Sequence, residues 1–194
     1  MRLFAIFFGA MIVNNILLMR FLGLCSFFGI SNKLENAVSM TWAVTFVMAM
    51  ASLVTWGLYH FLLLPLGLVF LRTAFFILVI AALVQLVEMY MKKNAPGLYR
   101  ALGIYLPLIT TNCAILAVAF LNIDYGYSLL ESLVYTVGVS GGYGVAIVLF
   151  ASLRERVDKA PVPEAFKGYP IAFILAGLLS LAFMGFAGMF GIQL

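Results

Sequence analysis

Long apolar runs, separated by short polar stretches, occupy almost the whole of this 194-residue chain. Six of them are long enough to cross the hydrocarbon core of a bilayer, which takes about 20 apolar residues in a helix. They cover residues 3–30, 37–64, 73–91, 101–121, 129–153 and 170–191. Because these runs are apolar on every side and do not alternate, they predict helices and not the strands of a barrel. The sequence therefore predicts an all-α integral membrane protein with six transmembrane helices.

The composition excludes a soluble domain. Charged residues make up 9% of the chain and hydrophobic residues 65%, whereas a soluble domain carries roughly 25% charged residues. The net charge of +4 is small and dispersed, which argues against nucleic-acid binding and fits loop charge that orients a membrane protein. A single membrane domain over residues 1–194 is expected.

Basic residues fall unevenly on the two sides of the predicted membrane. The first, third and fifth connections carry eight of them: Lys33, Lys92, Lys93, Arg100, Arg154, Arg156, Lys159 and Lys167. The opposite side carries Arg2 and Arg72. The positive-inside rule places those three connections in the cytoplasm and both termini outside. The segment Arg154–Glu155–Arg156 is interpreted as a solvated cytoplasmic face.

A weak internal repeat divides the chain into residues 1–92 and 100–194. Leu34–Glu35–Asn36–Ala37–Val38 and Leu130–Glu131–Ser132–Leu133–Val134 open the second helix of each half. The first helix of each half contains one cysteine, Cys25 or Cys113. A duplicated unit of three helices must insert in opposite orientations, with functional groups meeting near the midplane. The prediction is two inverted three-helix repeats.

The first and fourth predicted helices are interrupted next to these cysteines. Asn14–Asn15 and Gly23 precede Cys25, while Pro107 and the polar run Thr110–Thr111–Asn112 precede Cys113. Proline removes a helix hydrogen bond, and freed backbone groups are tolerated at membrane depth only when buried in protein or lining a cavity. Both spans are therefore predicted to be broken helices that meet near the pseudo-twofold axis.

The residues themselves leave two interpretations of the cysteines open. Each can be a small buried hydrophobe, as free cysteine usually is, in a small secondary transporter whose broken helices line a substrate site. Alternatively, both are metal ligands, and a four-coordinate site then needs two further ligands. A thiol oxidase is disfavoured because the chain lacks a closely spaced cysteine pair.

Glu88 is a further candidate, near the predicted cytoplasmic end of the third span. A carboxylate within a span is a candidate functional residue. Pairing with Lys92, one turn further along the helix, is the simpler structural explanation.

Motifs along the whole chain carry a family resemblance. They are Asn14–Asn15, Phe21–Leu22–Gly23–Leu24–Cys25, Val84–Gln85–Leu86–Val87–Glu88–Met89, Leu106–Pro107–Leu108–Ile109–Thr110–Thr111–Asn112–Cys113–Ala114, Leu153–Arg154–Glu155–Arg156 and Leu178–Leu179–Ser180–Leu181–Ala182–Phe183–Met184–Gly185–Phe186. They closely resemble the A subunits of Rnf complexes, which are ion-translocating ferredoxin:NAD oxidoreductases. These subunits are homologous to the E subunit of the sodium-translocating NADH:quinone oxidoreductase. Ser26 departs from the proline that usually follows the cysteine in the A subunits.

The resemblance implies an electron-transfer subunit of a translocase that is not catalytic alone. Cys25 and Cys113 would supply half of the ligands of a [2Fe–2S] cluster shared with a homologous, inverted partner, the E subunit. Residues around that cluster would be Gly23, Leu24, Thr111 and Asn112. Electrons would cross a bacterial or archaeal cytoplasmic (inner) membrane between further iron–sulfur clusters and FMN on the B, C, D and G subunits. Their flow would be coupled to Na⁺ or H⁺ export, with Glu88 on the ion path.

The asymmetry of basic residues generates a prediction about topology. Reporter fusions after Ser128 and at the C-terminus are expected to report the outside, and a fusion within residues 154–168 the cytoplasm. A cytoplasmic C-terminus would contradict either the number of spans or their orientation.

Overall fold

The computed structural model describes residues 2–67, 69–94 and 106–186, and those ranges contain helices and no strand. The helices are α1 Arg2–Phe8, α2 Leu24–Ile30, α3 Leu34–Leu58, α4 Arg72–Asn94, α5 Leu106–Thr110, α6 Cys113–Asp124, α7 Leu129–Asp158 and α8 Tyr169–Met184. A π-helical turn, Gly9–Val13, extends α1, and the stretch from Tyr59 to Leu66 extends α3. The all-α prediction is confirmed.

Within the described ranges, four helical stretches have the length and apolar character needed to cross a membrane. They are Leu34–Leu66, Val69–Tyr90, Pro107–Asp124 and Leu129–Asp158. Arg2–Val13 and Tyr169–Met184 are apolar but shorter. The structure thus supports a multi-pass membrane protein, while six crossings in two inverted repeats stay a prediction.

α3 and α7 form the centre of the bundle and pack against each other. α7 also contacts α1 and α8, and α3 also contacts α4 and α6. Of the four long helical stretches, α7 is the most deeply buried. It is therefore the helix against which the shorter elements are arranged.

A buried polar cluster joins α3, α6 and α7. Asn122 Nδ2 donates to Ser52 Oγ at 2.8 Å and to Thr136 Oγ1 at 3.2 Å. The hydroxyl oxygens of Ser52 and Ser132 are 3.0 Å apart. All four residues are buried. Hydrogen bonds between helices in a membrane contribute about 0.6 kcal/mol each on average, so the cluster helps to specify which faces of the three helices meet.

Glycines on α7 allow α1 and α3 to approach it closely, as small residues commonly do between membrane helices. A Cβ atom on Gly138 would lie 2.8 Å from the Phe7 carbonyl oxygen, and one on Gly142 would lie 2.6 Å from the Met11 carbonyl oxygen. A Cβ atom on Gly144 would collide with Thr41 of α3. Gly141 differs from these three positions, because the nearest neighbour of a Cβ atom there would be 3.9 Å away.

Polar contacts at the two ends of the bundle agree with the predicted alternation of connections. At one end, Arg72 Nη1 pairs with Asp124 Oδ1 at 2.8 Å, and Arg2 Nε pairs with Glu131 Oε1 at 3.4 Å. At the other end, Glu155 Oε1 near the end of α7 accepts the Leu34 N–H at 3.2 Å. The connection between α2 and α3 therefore lies beside the C-terminal end of α7.

The interpretation of Arg154–Glu155–Arg156 as a solvated face is wrong at Arg154. α7 continues through Arg154–Glu155–Arg156 to Asp158, and Arg154 is only 7% exposed. Its guanidinium points into the protein because it finds hydrogen-bond acceptors there, the Phe28 carbonyl and the Ser31 hydroxyl. This residue is structural and does not belong to a solvated loop.

Candidate functional site

The first break lies between Val13 and Leu24, and Asn15 organises it. Asn15 is completely buried. Its Oδ1 accepts the N–H groups of Leu17 and Leu18 at 3.1 and 3.4 Å, and its Nδ2 donates to the Gly142 carbonyl at 2.8 Å. One amide side chain thus replaces hydrogen bonds that the helix no longer makes, and it ties the break to α7.

Gly23 ends this break and begins α2. Its φ of +86° lies in the left-handed region, which glycine adopts without a steric penalty. A Cβ atom here would also lie 3.3 Å from Ala114 Cβ and 3.5 Å from Tyr143 Cε2. Both the positive φ angle and the lack of room for a Cβ atom therefore favour glycine at the point where α2 meets the start of α6.

The second break lies at Thr111–Asn112, between α5 and α6. Pro107 lies within α5. The chain leaves the helix at Asn112, whose ψ is 111°. Asn112 Oδ1 then caps α6 by accepting the Ala114 N–H at 3.0 Å.

The two breaks bring the two cysteines together. Cys25 is the second residue of α2 and Cys113 the first residue of α6. The Gly23 N–H donates to Cys113 Sγ at 2.9 Å, and the two thiols lie close enough to interact with each other. The N-terminal ends of two helices, α2 and α6, therefore meet at two neighbouring sulfur atoms.

Neither thiol forms a disulfide bond, and both are exposed on the surface of the chain. A cysteine that served only as a small core residue would be buried, as free cysteine usually is. Neither cysteine therefore belongs to the buried core of this chain. Their exposure leaves both sulfur atoms accessible to a group or a chain outside this one.

Tyr143 of α7 lies beneath the thiols. It is fully buried, and its hydroxyl donates to Ser26 Oγ at 2.8 Å, while Ser26 Oγ donates to the Gly23 carbonyl at 2.8 Å. Ser26, the departure from the family pattern, thus links α7 to the first turn of α2. Sequence reasoning missed Tyr143, although an aromatic residue among the small residues 138–144 was a usable signal.

A cavity of about 270 Å³ opens beside Cys113, between α4 and the second break. Its lining consists of Ile77, Ile80, Ala81, Thr110, Thr111, Asn112, Cys113 and Leu116. Asn112 Nδ2 is buried and makes no hydrogen bond within the described part of the chain. This amide group lies beside the Tyr143 hydroxyl, next to the cysteine.

The other predicted site residues divide into two groups. Leu24 and Thr111 flank the cysteines at the breaks, with Leu24 half-buried and Thr111 exposed. Glu88 is half-buried on α4, about two turns beyond the cavity-lining Ala81. The structure thus brings together Gly23, Leu24, Thr111 and Asn112 around the thiols, whereas Glu88 belongs to neither break.

The described residues contain no group of three or more His, Cys, Asp or Glu side chains that could hold a metal ion. Two thiols supply half of the four ligands of a tetrahedral thiolate site. The remaining ligands of such a site would have to come from another chain.

These features are those of a multi-pass membrane protein that presents two thiols where two interrupted helices meet. The chain belongs to the Rnf-Nqr family, described as "Rnf-Nqr subunit, membrane protein", which matches residues 3–190.

Curated relatives resemble the chain over nearly its whole length. It is 58% identical over 188 residues to the A subunit of the ion-translocating oxidoreductase complex of Syntrophotalea carbinolica, covering 97% of each chain. It is 55% identical over 184 residues to the protein of the same name from Serratia proteamaculans, covering 95% of each chain. It is 54% identical over 189 residues to the A subunit of the Na(+)-translocating ferredoxin:NAD(+) oxidoreductase complex of Acetobacterium woodii, covering 97% of this chain and 98% of that one.

The first break generates a prediction about stability. Asn15→Ala leaves the Leu17 and Leu18 N–H groups without an acceptor, and an unsatisfied buried donor costs about 1–3 kcal/mol. Thermal unfolding of the purified complex, followed through this chain, is expected to shift to lower temperature. The neighbouring Asn14→Ala is the matched control, with an expected change within about 0.5 kcal/mol. Equal effects of the two substitutions would contradict the role of Asn15.

Proposed function

We propose that this chain is the electron-transferring A subunit of an Rnf-type, ion-translocating ferredoxin:NAD oxidoreductase complex. The observation that carries the proposal is the pair of exposed thiols, Cys25 and Cys113, at two converging helix N-termini. The names of relatives that match almost the full length support the same function. The chain catalyses nothing alone and conducts electrons within the assembled complex.

The thiols fit half of a [2Fe–2S] site shared with a homologous partner. Such clusters are held by four thiolates, and this chain offers two of them on its surface. The Gly23 N–H already points at Cys113 Sγ, and hydrogen bonds to sulfur adjust the reduction potential of a cluster. The buried Asn112 Nδ2 is a further donor in the same region. The bound cluster would supply one-electron chemistry.

The chain's own residues hold these thiols in place. Asn15 and Asn112 satisfy the backbone at the two breaks, and Gly23 allows α2 to begin against Ala114 of α6. Hydrogen bonds from Tyr143 to Ser26, and from Ser26 to the Gly23 carbonyl, hold the first turn of α2 against α7. Rigid placement of the ligands matters because a loosely held site loses both metal affinity and a defined potential.

The proposed partner for the thiol surface is the E subunit, inverted relative to this chain, within a complex that also contains the B, C, D and G subunits. FMN and further iron–sulfur clusters would reside on those other subunits. The complex would lie in a bacterial or archaeal cytoplasmic (inner) membrane, with this chain multi-pass and both of its termini outside. Electron flow would be coupled to the transport of Na⁺ or H⁺.

The cysteines provide the direct test of this function. Cys25→Ser and Cys113→Ser are each expected to remove most of the intramembrane iron signal and to stop flavin reduction, because a serine hydroxyl is a poor ligand for an iron–sulfur cluster. The measurements are iron, acid-labile sulfide and flavin reduction in the purified complex, normalised to the amount of this chain. A substitution that costs stability alone would reduce the yield of complex but not the iron per complex.

Two outcomes would contradict the proposal. The first is an assembled Cys25→Ser complex that keeps its iron and its rate of flavin reduction. The second is a wild-type complex without iron or sulfide in the membrane subunits, which would favour the secondary transporter with incidental cysteines.

A carboxylate at membrane depth motivates a separate test of ion coupling. Glu88→Gln is expected to lower ion-coupled turnover more than it lowers assembly, because the amide cannot carry the negative charge that attracts a cation. The readout is turnover as a function of Na⁺ concentration and pH. Glu164→Gln, at a side chain that is 95% exposed, is the control. An unchanged cation dependence in Glu88→Gln would leave Glu88 with a structural role.

A further inference from the structure

Arg154 is a buried cation at the C-terminal end of α7. Its Nη1 donates to the Phe28 carbonyl oxygen and to Ser31 Oγ, both at 3.0 Å. Its guanidinium carbon also lies 5.9 Å from the centre of the Tyr169 ring, at the start of α8. In the described part of the chain, no ion pair joins Arg154 to a carboxylate. Its contacts are therefore with a helix end and a turn.

The charges of Arg154 and Glu155 complement the helix ends that they contact. Phe28 belongs to the last turn of α2, where free carbonyl groups form the negative end of the helix dipole. Leu34 is the first residue of α3, where free N–H groups form the positive end, and its N–H donates to Glu155 Oε1 at 3.2 Å. Adjacent residues of opposite charge thus bind opposite helix ends across the turn 31–33.

The same face of α7 holds α2 along its length. The Tyr143 hydroxyl donates to Ser26 Oγ at 2.8 Å, and the rings of Phe150 and Phe27 stack with their centres 4.0 Å apart. The spacing from Tyr143 to Phe150 to Arg154 is seven and then four residues, which places all three on one face of a helix. α2 has seven residues, too few to be stable without such contacts.

We propose that Arg154 is a positioning residue that, assisted by Glu155, sets the position of α2 and thereby the distance and orientation of the Cys25 thiol relative to Cys113. The far end of α2 carries Cys25, so movement of its anchored end changes the geometry at the sulfur atom. This inference rests on the proposed function, because it assigns the thiols a geometry that matters for a shared iron–sulfur cluster.

The experiment compares Arg154→Met, Arg154→Lys and the control Arg156→Met in the purified complex. Arg156 lies on the same helix two residues later and is exposed. Hydrogen exchange of residues 24–33 reports the anchoring of α2 whether or not a cluster is bound. The EPR line shape and midpoint potential of the cluster report the geometry of its ligands.

Arg154→Met is expected to speed exchange in residues 24–33 by at least about tenfold, since it removes two hydrogen bonds from a charged donor to this segment. It is also expected to broaden the EPR signal and shift the midpoint potential. Arg154→Lys keeps the charge, so its exchange rate, EPR signal and midpoint potential are expected to lie closer to those of the wild type. Arg156→Met is expected to change neither. If Arg154→Met prevents assembly, Arg154→Lys and Glu155→Gln are compared with the wild type by the same measurements.

Two results would overturn the proposal. One is exchange in residues 24–33 that is the same in wild type, Arg154→Met and Arg154→Lys. The other is faster exchange with an unchanged EPR signal and potential, which would mean that Arg154 stabilises α2 without positioning Cys25. If the wild-type complex holds no cluster, the proposed function fails, and the rate of oxidant-induced disulfide formation between Cys25 and Cys113 then reports the positioning. That rate is expected to fall in Arg154→Met.

Discussion

The fold depends on one constraint, which is that a backbone N–H or C=O group cannot be left without a partner in hydrocarbon. A continuous helix meets this constraint by itself, but this chain interrupts two helices next to its cysteines. Each interruption is satisfied by an asparagine side chain, Asn15 in the first break and Asn112 in the second. Because these side chains occupy defined positions, the breaks are ordered structures and the two thiols have a defined geometry.

α7 provides the surface against which the broken elements are placed. Its glycine face lets α1 approach until backbone atoms are almost in contact, as at Gly142 and Met11. Another face carries Tyr143, Phe150 and Arg154, which hold the short helix α2. A single long helix thus fixes the position of both parts of the interrupted first span, which explains why it is so deeply buried.

Sequence reasoning succeeds where a local pattern has a direct physical meaning. Long apolar runs predict membrane helices, and polar residues inside such runs predict interruptions, as observed near Asn15 and Asn112. It fails where the effect of a residue depends on its neighbours in space. Arg154 is expected in a solvated loop because charge is usually exposed, yet its acceptors lie about 125 residues earlier in the chain.

Hydrophobicity and backbone hydrogen bonding act over a few neighbouring residues. The amino-acid sequence alone therefore specifies the membrane environment of this protein, the presence of two interrupted spans and the identity of the two cysteines beside them. Three-dimensional packing is needed to establish that the two thiols meet, that they are exposed, and that Tyr143 and Arg154 support the helix carrying one of them. Those properties depend on contacts between residues about 90 to 130 positions apart. The repeat and the interruptions predict that the two spans meet, but no local pattern in the sequence specifies these individual contacts.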